Sequence, residues 1–332
     1  MNILVLDIPT VDGGGLTILL QFYKKALDDA ENDWFFFVGK PSEELIETKK
    51  VHIIHFPSAK KNWLNRFFFD FFSLPRLVKK YSIDKTISLQ GTYVRRFKGH
   101  QTLYIQQALF FSDYPTNIFL EPRIWFYKHV LSNIRKRDMR KADCIIVQTN
   151  STKQLCMKKY HVLEDRFVIE EPIFSLPFLN NDYARPSQIS FFYPTSSYLF
   201  KNVDTIIEAT KKIISQGVTN FIIFLTISES ENAVSKKWFK KCQKYSLPIE
   251  FIGYQKSDDM ARLYSTSVLL FPSYTESFGL PLLEAKKFGA PIISIDKGYA
   301  RDVLKDYKDV NYFDVGDIET LSRLMLYHIQ KG

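Results

Sequence analysis

Two consecutive α/β domains, each a doubly wound parallel sheet, are what this sequence predicts, and three observations carry the prediction. Short apolar runs bounded by turn residues alternate with stretches of helical spacing almost from end to end. The alternation stops once, over residues 173–187, where Pro177, the Asn180–Asn181–Asp182 cluster and Pro186 break both periods. The 332 residues are enough for two domains with separate cores, and 45% hydrophobic with 24% charged residues is the composition of a folded protein, not of a fibre or a disordered tail.

The elements follow in order. Residues 2–8 (NILVLDI) read as a buried strand, Gly13, Gly14 and Gly15 as a tight loop, and residues 16–30 as a helix through Leu16, Leu19, Leu20, Tyr23 and Leu27. Strands are expected at 34–39, 51–56, 84–90, 101–106, 143–148 and 166–170, with helices near 63–80, 119–141 and 150–160. This is an N-terminal domain over 1–172, followed by the linker 173–187. A second domain over 188–332 then alternates strand 188–194, helix 202–216, strand 220–226, helix 231–245, strand 249–253 and helix 258–266. After residues 268–295 come a short helix near 299–306, a strand near 310–314 and a final helix at 317–330.

Residues 268–295 (VLLFPSYTESFGLPLLEAKKFGAPIISI) concentrate the polar chemistry. An apolar run ends at Pro272 and Ser273, a loop carries Glu276, and Gly279 and Pro281 mark the start of a helix that holds Glu284 about one turn in. The backbone N–H groups of Phe278, Gly279 and Leu280 then belong to a helix N-terminus at the carboxyl end of a strand. Open α/β sheets bind ligands there, and helix N-termini receive hydroxyls or phosphate oxygens.

Bulk features narrow the function classes. The three cysteines, Cys144, Cys156 and Cys242, are few, odd in number and without metal spacing, which predicts free thiols in a reducing compartment. MNILVLDIPTVDGGG lacks a basic leader and a long apolar core, and no run is long enough to span a bilayer, so a cytoplasmic protein is expected. The net charge of +9 is concentrated in residues 60–80 and 123–141, where Trp and Phe mix with Arg and Lys. Such helices suit peripheral contact with an anionic inner-membrane face, although Phe67–Phe72 would serve equally as core beneath solvated lysines. No nucleic-acid module is recognisable, and no nucleic-acid partner is expected.

The segment from Glu276 to Glu284, with seven residues between the two glutamates, resembles the E-x7-E signature of retaining glycosyltransferases of family 4. Residues 251–294 are similar in order and spacing to the C-terminal core of that family, from the F-x-G strand end at Gly253, through P-S-x-x-E, to the strand after G-x-P. The resemblance implies the GT-B fold: two Rossmann-like domains with an interdomain cleft, the first on the acceptor side and the second holding a UDP- or GDP-sugar as substrate, with no further cofactor and no metal. It implies that Glu284 accepts hydrogen bonds from the ribose, that Glu276 sits near the transferred sugar, and that Lys201 neutralises the departing diphosphate. Catalytic roles thus fall to Glu276 and Lys201. Donor binding falls to Glu284, Phe278, Gly279, Leu280, Gly253, Gly14 and Gly15.

Two departures accompany the resemblance. Where relatives carry an arginine ahead of the lysine, this chain reads Thr195-Ser196-Ser197, and where many place a first-domain histidine it reads Gln106-Gln107. A glutamine can bond a hydroxyl but cannot act as a general base. Three readings therefore stay open: a retaining, metal-independent hexosyl-type glycosyltransferase acting on a glycan or lipid-linked acceptor in cell-surface polysaccharide or glycolipid assembly; a catalytically silent nucleotide-sugar-binding subunit; and a sugar-nucleotide epimerase of the same two-domain plan.

Overall fold

A computed structural model divides the chain into two compact units, Met1–Phe174 and Ser175–Gly332. It describes residues 1–10, 13–40, 43–173, 183 and 188–331; the expected linker 173–187 lies, apart from residues 173 and 183, outside the described residues.

The first unit is a seven-stranded parallel sheet in the order β3-β2-β1-β4-β5-β6-β7. Its strands are β1 (Asn2–Asp7), β2 (Asp33–Val38), β3 (Val51–His55), β4 (Lys85–Ser88), β5 (His100–Tyr104), β6 (Cys144–Val147) and β7 (Phe167–Ile169). Strand β1 shows why its sequence is apolar without alternation. Ile3 and Val5 pack on one face with Ile18, Leu19 and Phe22 of α1 (Gly13–Asp28), while Leu4 and Leu6 pack on the other with Phe69, Leu74 and Val78. Both faces of the strand are covered, so neither can be polar.

The expected glycine loop is corrected by the structure, because Gly13, Gly14 and Gly15 form the first turn of α1. Gly13 has φ +62°, and a Cβ on Gly15 would lie 2.9 Å from Thr10 Oγ1. The missing side chains let the helix start hard against the end of β1.

After α2 (Pro57–Lys61), the helix expected near 63–80 is α3 (Trp63–Phe68), a π turn over Phe69–Ser73, and α4 (Leu74–Lys80). The wide turn lies directly ahead of Pro75, which has no N–H for an i→i−4 bond and crowds the carbonyl four residues back. The helix expected near 119–141 opens three residues late as α5 (Pro122–Phe126), continues through a π turn over Tyr127–Leu131 and ends as α6 (Ser132–Lys141). Proline favours a first-turn position and keeps Glu121 out of the helical region, which sets that start. Helix α7 (Asn150–Tyr160) follows β6 and is capped by the Thr149 side chain.

The second unit is a six-stranded parallel sheet ordered β10-β9-β8-β11-β12-β13. Strands β8 (Ile189–Tyr193), β9 (Phe221–Leu225), β10 (Ile249–Phe251), β11 (Val268–Phe271), β12 (Ile292–Ile295) and β13 (Val310–Phe313) alternate with α8 (Val203–Ser215), α9 (Ala233–Lys244), α10 (Ser257–Thr266), α11 (Leu280–Phe288), α12 (Gly298–Val303) and α13 (Ile318–Lys331). Strand order reverses between β8 and β11, the topological switch point of a doubly wound sheet, and the first unit has the same reversal between β1 and β4. Among the described residues no helix is long and apolar enough to cross a membrane. Cys156 and Cys242 are buried free thiols, and Cys144 is half-buried.

Candidate active site

The polar residues of the second unit gather where its strand order reverses. Beyond Tyr193 the chain leaves β8, makes one tight turn over Leu199–Lys201 and enters α8 through Asn202, a cap residue with φ 59°. Beyond Phe271 the chain leaves β11 and runs through Pro272–Gly279 into α11. The two loops are stitched together: Tyr274 N donates to Phe200 O at 2.8 Å and Asn202 Nδ2 to Pro272 O at 3.2 Å.

This stitching brings the two residues expected to act on the reacting group into contact. Lys201 Nζ lies 2.6 Å from Glu276 Oε1, with the side chains 17% and 18% exposed. The buried Ser273 hydroxyl donates to the same oxygen at 2.6 Å. Two buried tyrosines brace the arrangement. Tyr193 OH donates to Lys201 O at 3.0 Å, and Tyr299 OH to Ser273 O. Burial, followed by the negative charge of Glu276, pushes both hydroxyls above the ordinary phenol range, so they remain donors at neutral pH.

Helix α11 begins at Leu280, with Pro281 in its second position and Gly279 as cap at φ +89°. The N–H groups of Phe278, Gly279 and Leu280 belong to the turn that opens the helix. Glu284 lies one turn on, and its Oε2 accepts the hydroxyl of the buried Tyr264 from α10. Burial pushes the Glu284 carboxyl above the usual range; the Tyr264 hydrogen bond and the charge of Lys287 pull it back. A carboxylate holding one such bond can still accept from further hydroxyl donors.

Other expected residues lie apart from this cluster. Gly253 follows the edge strand β10, separated in strand order from β8 by β9; its φ of +67° and its bond from N to Ile227 O at 3.1 Å give it a backbone role. Gly14 and Gly15 belong to the first unit, with Gln106 Oε1 3.4 Å from where a Gly15 Cβ would be. Gln106 is half-buried, Gln107 exposed. In the stretch where the resembling family has its arginine, Thr195 N bonds Thr226 Oγ1 at 2.9 Å, and the buried Ser197 hydroxyl has no partner among the described residues. Sequence reasoning passed over Ser273, Tyr193, Tyr264 and Tyr299. Of these, only Ser273 had a signal, as the serine of P-S-x-x-E.

Comparison with known proteins bears on the second unit and on the fold. Residues 186–331 match the family model described as Glycosyl transferases group 1. A stretch of 83 residues, 25% of this chain, is 31% identical to O-antigen chain mannosyltransferase B of Escherichia coli, and it spans 21% of that protein's length. Three solved structures illustrate the likeness in fold. WaaG, a glycosyltransferase involved in lipopolysaccharide biosynthesis, has a TM-score of 0.74 at 14% identity over 99% of this chain and 90% of its own. Sucrose-phosphate synthase from Thermosynechococcus elongatus gives 0.74 at 16% over 98% and 89%. Anabaena HepE, solved in complex with UDP-glucose, gives 0.73 at 12% over 100% and 90%. The second unit thus carries the sequence match to group 1 glycosyl transferases, and the chain has the GT-B fold of two Rossmann-like domains found in solved glycosyltransferases.

Proposed function

We propose that this protein is a retaining, metal-independent glycosyltransferase that moves a hexosyl group from a UDP- or GDP-sugar to a glycan or lipid-linked acceptor in cell-surface polysaccharide or glycolipid assembly. The observation that carries the reading is the Lys201–Glu276 pair, 2.6 Å apart across the switch point within the segment that matches group 1 glycosyl transferases. A departing nucleoside diphosphate gains negative charge as the glycosidic bond breaks, and a lysine ammonium together with helix N–H groups stabilises that charge without a metal ion. Glu284 takes the ribose hydroxyls and Glu276 the hydroxyls of the transferred sugar. Retention is supported by the E-x7-E resemblance, a UDP-sugar donor by the HepE complex, and cell-surface assembly by what WaaG and the mannosyltransferase are named for.

The acceptor falls to the first unit, which exposes an aromatic and basic surface. Trp63 is 73%, Phe119 91% and Leu120 66% exposed, with Phe67, Phe68, Phe72 and Phe126 exposed nearby in sequence among arginines and lysines. Apolar side chains in such numbers among cations fit peripheral contact with an anionic membrane that presents a lipid-linked acceptor. A catalytically silent subunit is the second reading, favoured by the hydroxyl-bearing residues Thr195–Ser197 in place of a second cation.

Thermal shift with UDP, GDP and ADP, then release of nucleoside diphosphate from the matching sugar donors, tests the reading. Lys201→Ala should lower turnover by about a hundredfold, the usual scale for removing one stabilising group from a transition state. Glu284→Gln should weaken nucleotide binding about tenfold in a protein that melts normally. Nucleotide binding without turnover in the wild type would establish the silent subunit. Wild-type turnover in Lys201→Ala would move the diphosphate role elsewhere.

A further inference from the structure

We infer that Glu276 and the donor diphosphate compete for Lys201, and that Ser273 is the positioning residue that holds Glu276 once the diphosphate has taken the lysine. The inference rests on the assignment of Lys201 to the diphosphate. It begins from a charge balance. In this structure the lysine faces a carboxylate at 2.6 Å, so the pair presents no net charge to an incoming anion. Both side chains are less than a fifth exposed. Water therefore screens the pair far less than an open surface pair, and an anion must displace the carboxylate to gain the full charge of the ammonium.

Glu276 has somewhere to stay when this happens. The oxygen that meets Lys201 also accepts the Ser273 hydroxyl at 2.6 Å, and this second donor is neutral, buried and anchored. Tyr299 fixes the Ser273 carbonyl, and the bond from Tyr274 N to Phe200 O fixes the loop against the lysine's own turn. Loss of the charged donor leaves the carboxylate in place but with more unshared electron density, a stronger acceptor for the hydroxyls of a transferred sugar. One event thus loads the lysine with phosphate and frees the glutamate for sugar.

Isothermal titration of UDP and GDP into wild type, Lys201→Ala, Glu276→Gln, Ser273→Ala and the Ser273→Ala/Glu276→Gln double variant tests this without any knowledge of the acceptor. Glu276→Gln should bind the better of the two nucleotides roughly three- to tenfold more tightly, the range of a partly buried ion pair. Ser273→Ala should weaken it roughly threefold, since Glu276 deprived of its neutral donor holds the lysine harder, and should have no effect in the Glu276→Gln background. Equal weakening in both backgrounds would reduce Ser273 to a structural role. Unchanged or weaker binding by Glu276→Gln, with Lys201→Ala weakened, would overturn the competition and leave Lys201 on the diphosphate. Wild-type affinity in Lys201→Ala would sink both. If Ser273→Ala melts early, Ser273→Cys keeps the size with a weaker donor and replaces it in the cycle.

Discussion

Asp7, the last residue of β1, is only 1% exposed, and burial pushes its pKa from 3.8 to about 6 against the pull of Thr10, Arg66 and Lys60. A carboxyl held above its unfolded value stabilises the fold while protonated; that contribution is whole below pH 3.8 and is lost as pH rises through about 6. The shift corresponds to about 3 kcal/mol between the two limits. Asp7→Asn should therefore raise the melting temperature at pH 7.5 by about 5 °C more than at pH 4.5, and equal changes at both values would show that the carboxyl is already charged at low pH. The buried carboxyl was not legible in the sequence, since the strand read over residues 2–8 takes in Asp7 without showing which side chains close over it. The tyrosines of the second unit were hidden for a related reason. Tyr193 and Tyr264 sit among apolar residues and read as core, which their rings are; only the hydroxyls reach Lys201 O and Glu284. Glu276, Glu284 and Lys201 were singled out by the resemblance of their segments to a known family, since a loop carboxylate, a glutamate in a first helical turn and a lysine just before a helix each have ordinary structural reasons to be there.

Elements were more readable than their joints. Each expected strand and helix of both sheets exists, because a strand covered on two faces and a helix covered on one leave different apolar periods. What the period could not show was the inside of a helix. Both long helices of the first unit contain a π turn, which costs one residue of register and leaves no mark on hydrophobic spacing. The glycine triplet misled for the opposite reason, since glycine marks a loop by composition and here opens a helix by its lack of bulk. Helix α11 shows how much can hang on such a start. Gly279 caps it at φ +89°, and a Cβ there would meet Leu282 Cδ1 at 3.2 Å. Gly279→Ala should cost about 1–2 kcal/mol by urea unfolding and weaken nucleotide binding as well, because the same backbone aims the N–H groups of the first turn. A stability loss with unchanged nucleotide affinity would separate the cap from the binding site.

At the scale of the whole molecule most of the basic excess lies in the first unit, as do the exposed Trp and Phe side chains among the described residues, and the structure sorts which charges can serve a surface. Arg135 turns inward, donating to Gln90 O at 2.7 Å and to Gly91 O, so it belongs to the interior, whereas Arg137 and Lys141 are exposed. Co-sedimentation with anionic vesicles should be strong at low salt and fall with ionic strength. It should drop about tenfold when Trp63, Phe119 and Leu120 are changed to Ser, and again when Arg137 and Lys141 are changed to Gln. Binding indifferent to salt and to both sets would leave a soluble acceptor as the better account. The all-parallel sheets have a consequence for how the chain is made. No strand can pair with its successor through a hairpin, because every pairing waits for a crossover, and the first sheet is complete only when Phe167–Ile169 has been synthesised. At about 5–20 residues per second, a ribosome exposes unpaired apolar strands such as β1 for several seconds before their neighbours arrive. The nascent chain should therefore engage holding chaperones early, and its soluble yield should respond to translation speed.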